Sequence, residues 1–194
     1  MDPSIDRVLS FWFDPRYQFK RWFEQSDELD NQIRVGFGDL VSQARTPTLD
    51  SWTQDPKGTL VMLVLLDQFT RNIFRGSAEA FSGDAKALDI AVKGISKGFD
   101  HEVGPMQQAL FYLPLMHSES LLSQIATVAF YENYAQRCEP DSPSKSFATG
   151  SIEFSKKHRD VIATFGRFPG RNKALGRKST MEEVEYLKEH PTGF

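Results

Sequence analysis

The chain has 194 residues, 40 % of them hydrophobic and 25 % charged, with a net charge of −3. That length carries one domain with a real core, and the composition excludes a disordered polymer. One cysteine, Cys138, excludes an intramolecular disulfide, and the longest apolar run, Leu60–Leu66, falls far short of the roughly 18 residues of a membrane span.

In chain order, Pro3-Ser4 opens a helix with Ile5, Val8, Leu9, Trp12 and Phe13 on one face, and Asp14-Pro15 stops it. After a Trp22-Phe23 anchor, Ser26 reads as the N-cap of a second helix carrying Leu29, Ile33, Phe37, Leu40 and Val41. Thr46-Pro47 ends it and Trp52 falls in a connecting turn. Asp55-Pro56 then caps a stretch, TLVMLVLLDQFTRNIF, that is apolar almost all round. This predicts a buried central helix, because no Gly or Pro bounds the run as a strand and DQFTRN keeps a helical period. A fourth helix follows Gly76-Ser77 with Phe81, Ala85, Leu88, Ala91 and Ile95, and Gly98 suits its C-cap.

Gly104-Pro105 starts a fifth helix that Pro114 should kink or end near Met116. Ser118 fits the cap of a sixth, and EPDSPS, residues 139–144, is the best loop candidate. A long helix from about Lys145 to Phe165 follows, and Ser179 or Thr180 with Glu182-Glu183 resembles a capping box for a last helix ending before Pro191. The pattern predicts one all-α domain over residues 1–194, with seven or eight helices and no alternating strands. The N-terminus, MDPSIDRVLSFWF, has acids where a secretory signal has bases, so a soluble, cytoplasmic protein without a membrane partner is expected.

Charge is concentrated in one place. Residues 156–178 hold eight Lys or Arg against one acid, Asp160, so this stretch carries +7 and the rest of the chain −10. Ile162, Phe165, Phe168 and Leu175 anchor it and Gly166, Pro169, Gly170 and Gly176 break it, which describes a folded loop rather than a polybasic tail. Nucleic acid is a poor partner, since no RNA-binding motif is present and the acidic remainder repels a polyanion. The planar fork of arginine suits a carboxylate or phosphate, so Arg167, Arg171 and Arg177 are candidate ligands of a small anion or an acidic peptide. The bland alternative pairs these arginines with acids of neighbouring helices, such as Asp67 or Asp84.

Two further groups join them. Asp67, Gln68, Arg71, Asn72 and Arg75 share adjoining faces at the polar end of the central helix, where they form either a binding wall or an intrahelical ion pair. His117 and His158 are the acid/base candidates. The four histidines show no metal spacing and one cysteine builds no zinc site, so neither metal nor cofactor is expected. Asp67, Gln68, Arg71, Asn72, His117, His158, Arg167 and Arg171 are expected largely to converge on one cavity.

The stretches LDQFTRNIFRG, AFSGDAKAL, MHSES and HRDVIATFGRFPGRNKALGRKSTMEEVEYL, with RWFEQSDELDNQIRVGF near the N-terminus, resemble the bacterial and fungal domain of unknown function 924. The resemblance runs over about residues 4–190 and implies a tetratricopeptide-like array of antiparallel helices, which the chain's own periodicity does not reveal. It adds Asn172, within the Phe-Gly-Arg-Phe-Pro-x-Arg-Asn motif, to the binding candidates. Gly170 stands where that motif usually has His, and Thr70 where the family usually has Pro. No settled activity comes with the family. Two functions therefore stand side by side: a helical-repeat binding module for a small anion or acidic peptide, and a small cofactor-free enzyme with His acid/base groups and Arg charge stabilisers.

Overall fold

The computed structural model describes residues 2–17, 20–23 and 25–191. Helix of α, 3-10 or π type covers 75 % of them, and none lies in a strand. The chain is all-α. It folds as two compact units, residues 1–114 and 115–194.

In the N-terminal unit, α1 (Pro3–Trp12) starts where the Asp2 carboxylate accepts the Ser4 N–H at 2.8 Å. Its buried stripe is Ile5, Val8 and Trp12, and it ends ahead of Asp14-Pro15. The short α2 (Lys20–Phe23) places the Trp22 indole N–H on the Trp12 carbonyl at 3.3 Å, while the Phe23 side chain lies outside the described residues. Ser26 caps α3 (Asp27–Ala44), which buries all five predicted apolar positions. Thr46 then caps a 3-10 turn, Pro47–Gln54, that buries Leu49 and Trp52.

Asp55 accepts the Gly58 N–H at 3.0 Å and opens α4 (Pro56–Leu63), a cap of the kind that contributes about 1 kcal/mol. The rod continues through a π turn, Val64–Phe69, into α5 (Thr70–Ile73). Every residue from Leu60 to Leu66 is at most 1 % exposed, so this is the buried centre of the unit. Phe11, Trp12 and Phe37 close on Phe69 with ring centroids 6.1, 5.2 and 5.1 Å away.

The fourth helix departs from its predicted register. A 3-10 turn, Ala78–Phe81, precedes α6 (Asp84–Ser96), whose buried residues are Ala87, Ile90, Ala91 and Gly94, with Ala85 exposed. Three of these four buried residues are small, because the helix backbone packs closely on its neighbours. A Cβ on Gly83 would stand 2.2 Å from the Leu66 carbonyl oxygen, and one on Gly94 3.0 Å from the Phe111 ring. The fifth helix is broken into α7 (Pro105–Gln108), a 3-10 turn (Ala109–Phe111) and α8 (Leu113–Met116). The Pro114 ring conflicts with the carbonyl four residues earlier, which tightens the chain before it.

In the C-terminal unit, α9 (Leu121–Arg137) is capped by Ser120, not by Ser118, whose hydroxyl accepts the Ser120 N–H at 3.3 Å. The loop before the next helix is residues 138–142, shorter than the predicted EPDSPS because Pro143 and Ser144 are already helical. Ser142 caps α10 (Pro143–Phe165), with Pro143 at the first helical position where its missing N–H costs nothing. The short turn folds α9 and α10 into a helical hairpin. Gly166 ends α10 with φ of +69°, a 3-10 turn (Pro169–Arg171) follows, and Thr180 with Glu183 forms the capping box of α11 (Met181–Glu189).

Candidate functional site

The candidate residues of the N-terminal unit come together as a web of carboxylate pairs. The π turn carries Asp67 and Gln68, both buried, and the Gln68 side-chain N–H donates to Asp67 Oδ2 at 2.5 Å. Arg71 lies one turn on and is 3.3 Å from Asp67 Oδ1. Its guanidinium also meets Asp84 at the start of α6 with two parallel bonds of 2.9 and 3.0 Å. Arg75 makes the same fork on Asp30 of α3, at 2.7 and 2.8 Å, while Asn72 donates to Asp30 Oδ1 at 2.8 Å. Burial pushes the Asp30 carboxyl up, but the bonds from Arg75 and Asn72 outweigh it and hold it below the usual carboxylate range. These arginines tie α5 to α3 and α6.

The basic loop of the C-terminal unit is held by its own charges. Arg167 grips Glu183 of α11 through bonds of 2.6 and 2.8 Å and donates to the Lys178 carbonyl at 2.9 Å. Glu183 also accepts from Asn172 at 3.1 Å and from the Thr180 backbone at 2.8 Å. The Arg167 bonds lead in holding its carboxyl down to about 2. Asn172 in turn accepts from Arg177 Nε at 2.9 Å, and Arg177 forks onto Glu119 at 2.7 and 2.9 Å. Glu119 closes the circuit by accepting the Phe168 N–H at 2.8 Å. One chain of charge-assisted bonds thus runs Arg167, Glu183, Asn172, Arg177, Glu119. Lys156 and Arg159 pair with Glu153 and Asp160 at 2.9 and 2.7 Å, and Lys157, Lys173 and Lys178 are exposed.

His117, His158 and Arg171 form a third group, also within the C-terminal unit. Arg171 donates to the His117 carbonyl at 2.9 Å, with its guanidinium carbon 4.6 Å from the centre of the Phe168 ring. His158 is 7 % exposed and lies between the rings of Phe154 and Phe168, at 4.9 and 5.5 Å. Its Nδ1 is 2.9 Å from the Phe154 carbonyl, an acceptor, so the proton is on Nδ1. Burial above all, then the charges of His117 and Arg171, holds the ring's pKa down to about 3. Among the described residues, no group of three His, Cys, Asp or Glu side chains is placed to hold a metal ion, and no helix is long and apolar enough to cross a membrane.

A family model described as "Bacterial protein of unknown function (DUF924)" matches residues 8–191, nearly the whole chain. The chain belongs to the DUF924 family. Among solved structures it is similar to a protein of unknown function, ATU0120, from Agrobacterium tumefaciens, with 31 % identity over 96 % of this chain and 97 % of that one, and a TM-score of 0.83. Among curated proteins none matches.

Thr70 and Gly170, the two positions singled out by the resemblance in the sequence, have distinct surroundings. Thr70 is buried at the end of the π turn, and its hydroxyl donates to the Leu66 carbonyl at 2.6 Å. Gly170 is exposed in the 3-10 turn Pro169–Arg171. The carboxylates Asp30, Glu119 and Glu183 were not among the predicted site residues, although they organise it. Asp30 had a signal: it neighbours Leu29 and lies three residues before Ile33, on the buried side of α3. Glu119 meets Phe168 and Arg177 from 49 and 58 residues away, a range at which spacing carries no information, whereas Glu183 lies 16 residues from Arg167 and its sequence signal is only that of a capping box.

Proposed function

We propose that the C-terminal unit binds a small anion, a carboxylate or phosphate, at His117, His158 and Arg171. The observation that carries this is the seating of Arg171, whose guanidinium donates to the His117 carbonyl at 2.9 Å and lies against the Phe168 ring, the ring that also packs on the buried His158. The planar fork of arginine suits a carboxylate or phosphate, and an anion is the ligand it favours. Arg171 is preorganised for the task, held on one side by the His117 carbonyl and on another by the Phe168 ring. In this reading Arg167, Arg177 and Asn172 build the loop that presents Arg171, and the Arg71 and Arg75 forks belong to the frame. The scaffold is a tetratricopeptide-like array working in the cytoplasm. The cofactor-free enzyme has less support, since a histidine held near pKa 3 has no proton to donate at neutral pH and is a feeble base.

The test is thermal unfolding in phosphate against chloride of equal ionic strength. Phosphate should raise the melting temperature, because a ligand of the native state alone stabilises it. Arg171→Lys, which keeps the charge and loses the fork, should abolish most of that gain. An equal gain in the variant, or none in the parent, overturns the proposal.

A further inference from the structure

We propose that the groove between α10 and α11 is a second ligand site, for a small aromatic carboxylate. It has a volume of about 450 Å³, within the range of roughly 300 to 1,000 Å³ typical of small-molecule sites. Phe154, Lys157, Val161 and Phe165 recur along one face of α10, and Tyr186 and His190 face them from one side of α11. None of these residues belongs to the cluster proposed above to bind an anion.

The groove is rigid. Two of its lining rings, Phe165 and Tyr186, pack against the buried cluster of Val161, Ile162 and Phe168. Tyr186 is fixed from two directions, by Phe165 at 5.1 Å and by a parallel stack on His190 at 4.3 Å. Phe154 is braced on one side by His158 at 4.9 Å and still leaves 43 % of its surface exposed. Aromatic walls already held in place lose little freedom when a flat ring enters.

Charge selects the acid. Asp160 also lines the groove, but two bonds from Arg159, of 2.9 and 2.7 Å, hold its carboxylate. Lys157 is exposed on the lining and enters no ion pair among the described residues. An aromatic ring against Phe154 and Tyr186, with its carboxylate toward Lys157, satisfies both the apolar walls and this charge.

Isothermal titration with 2-naphthoate tests the proposal on the intact chain. Naphthoate should bind saturably, and the neutral isostere 2-naphthamide should bind about tenfold more weakly. Lys157→Glu and Phe154→Ala replace exposed side chains and leave the fold intact. Each should weaken naphthoate about tenfold or more. Inorganic phosphate should not compete, and Arg171→Lys should leave naphthoate binding unchanged, which separates this site from the one proposed above. Three results would overturn it: no naphthoate binding, undiminished binding in Lys157→Glu, or a dimer by light scattering that Phe154→Ala dissolves and naphthoate does not, which would mean a second copy fills the groove.

Discussion

Gly83 has no room for even one added methyl group. A Cβ there would come 2.2 Å from the Leu66 carbonyl oxygen and 2.9 Å from its carbon, and both are backbone atoms of the buried rod. Neither side can yield cheaply, because Leu66 is fully buried and Thr70 already bonds its carbonyl. Gly83→Ala should therefore destabilise the protein by about 2 kcal/mol or more, read as a lower midpoint in urea. An unchanged midpoint would contradict the close approach. At this scale the sequence was legible where partners are near. Asp67 and Arg71 pair at the predicted spacing, but Asp84, named as a partner for arginines of the basic stretch, is met by Arg71, while Arg167 and Arg177 pair with Glu183 and Glu119. It was silent where partners are distant. Nothing in the basic stretch indicates that Arg177 meets Glu119, 58 residues away, or that Asp30 serves both Asn72 and Arg75.

Elements were read well wherever caps and large apolar residues both signalled. Ser26 and Asp55 cap the helices predicted for them, Thr180 is the cap of the two that the sequence offers for the last helix, and the α3 stripe is the predicted one. Reading failed where small residues replace large ones. The buried face of α6 runs through Ala87, Ala91 and Gly94, which carry almost no hydrophobic periodicity yet permit the closest packing. The π turn leaves no mark either, since it begins inside the apolar run Leu60–Leu66, where one extra residue per turn does not change the pattern. The central rod supplies the prediction that belongs here. Leu65 is fully buried, so Leu65→Asp places an unpaired charge among apolar neighbours and should cost several kcal/mol, enough to abolish cooperative unfolding. A variant that melts like the parent would remove the rod from the core.

Over the whole molecule, charge is more evenly spread than the basic stretch suggests. Residues 1–114 hold 12 bases and 16 acids, and residues 115–194 hold 11 bases and 10 acids. The local excess is met by carboxylates that folding brings to it, Glu119 and Glu183 above all. This makes the C-terminal unit acid-sensitive in two separable steps. His158 has an ordinary pKa of 6.5 and is held near 3 when folded, so the unfolded chain binds the extra proton between those values. Its contribution is complete above pH 6.5 and falls as pH drops toward 3, by about 2 kcal/mol at pH 5. Glu183 falls from 4.5 to about 2, so its contribution is complete above pH 4.5 and is lost below that as the carboxylate protonates and releases Arg167. Stability measured by urea unfolding should thus be level from pH 8 to 7, decline from about pH 6.5, and decline more steeply below 4.5. His158→Gln, which cannot titrate, should flatten the upper limb and leave the lower one. Glu183→Gln should keep the upper limb and make the lower one shallower, with Asp30 and Glu119 still held below their usual range, at a lower overall stability. The assignment fails if His158→Gln retains the decline between pH 6.5 and 5, because the proton responsible would then be taken up elsewhere.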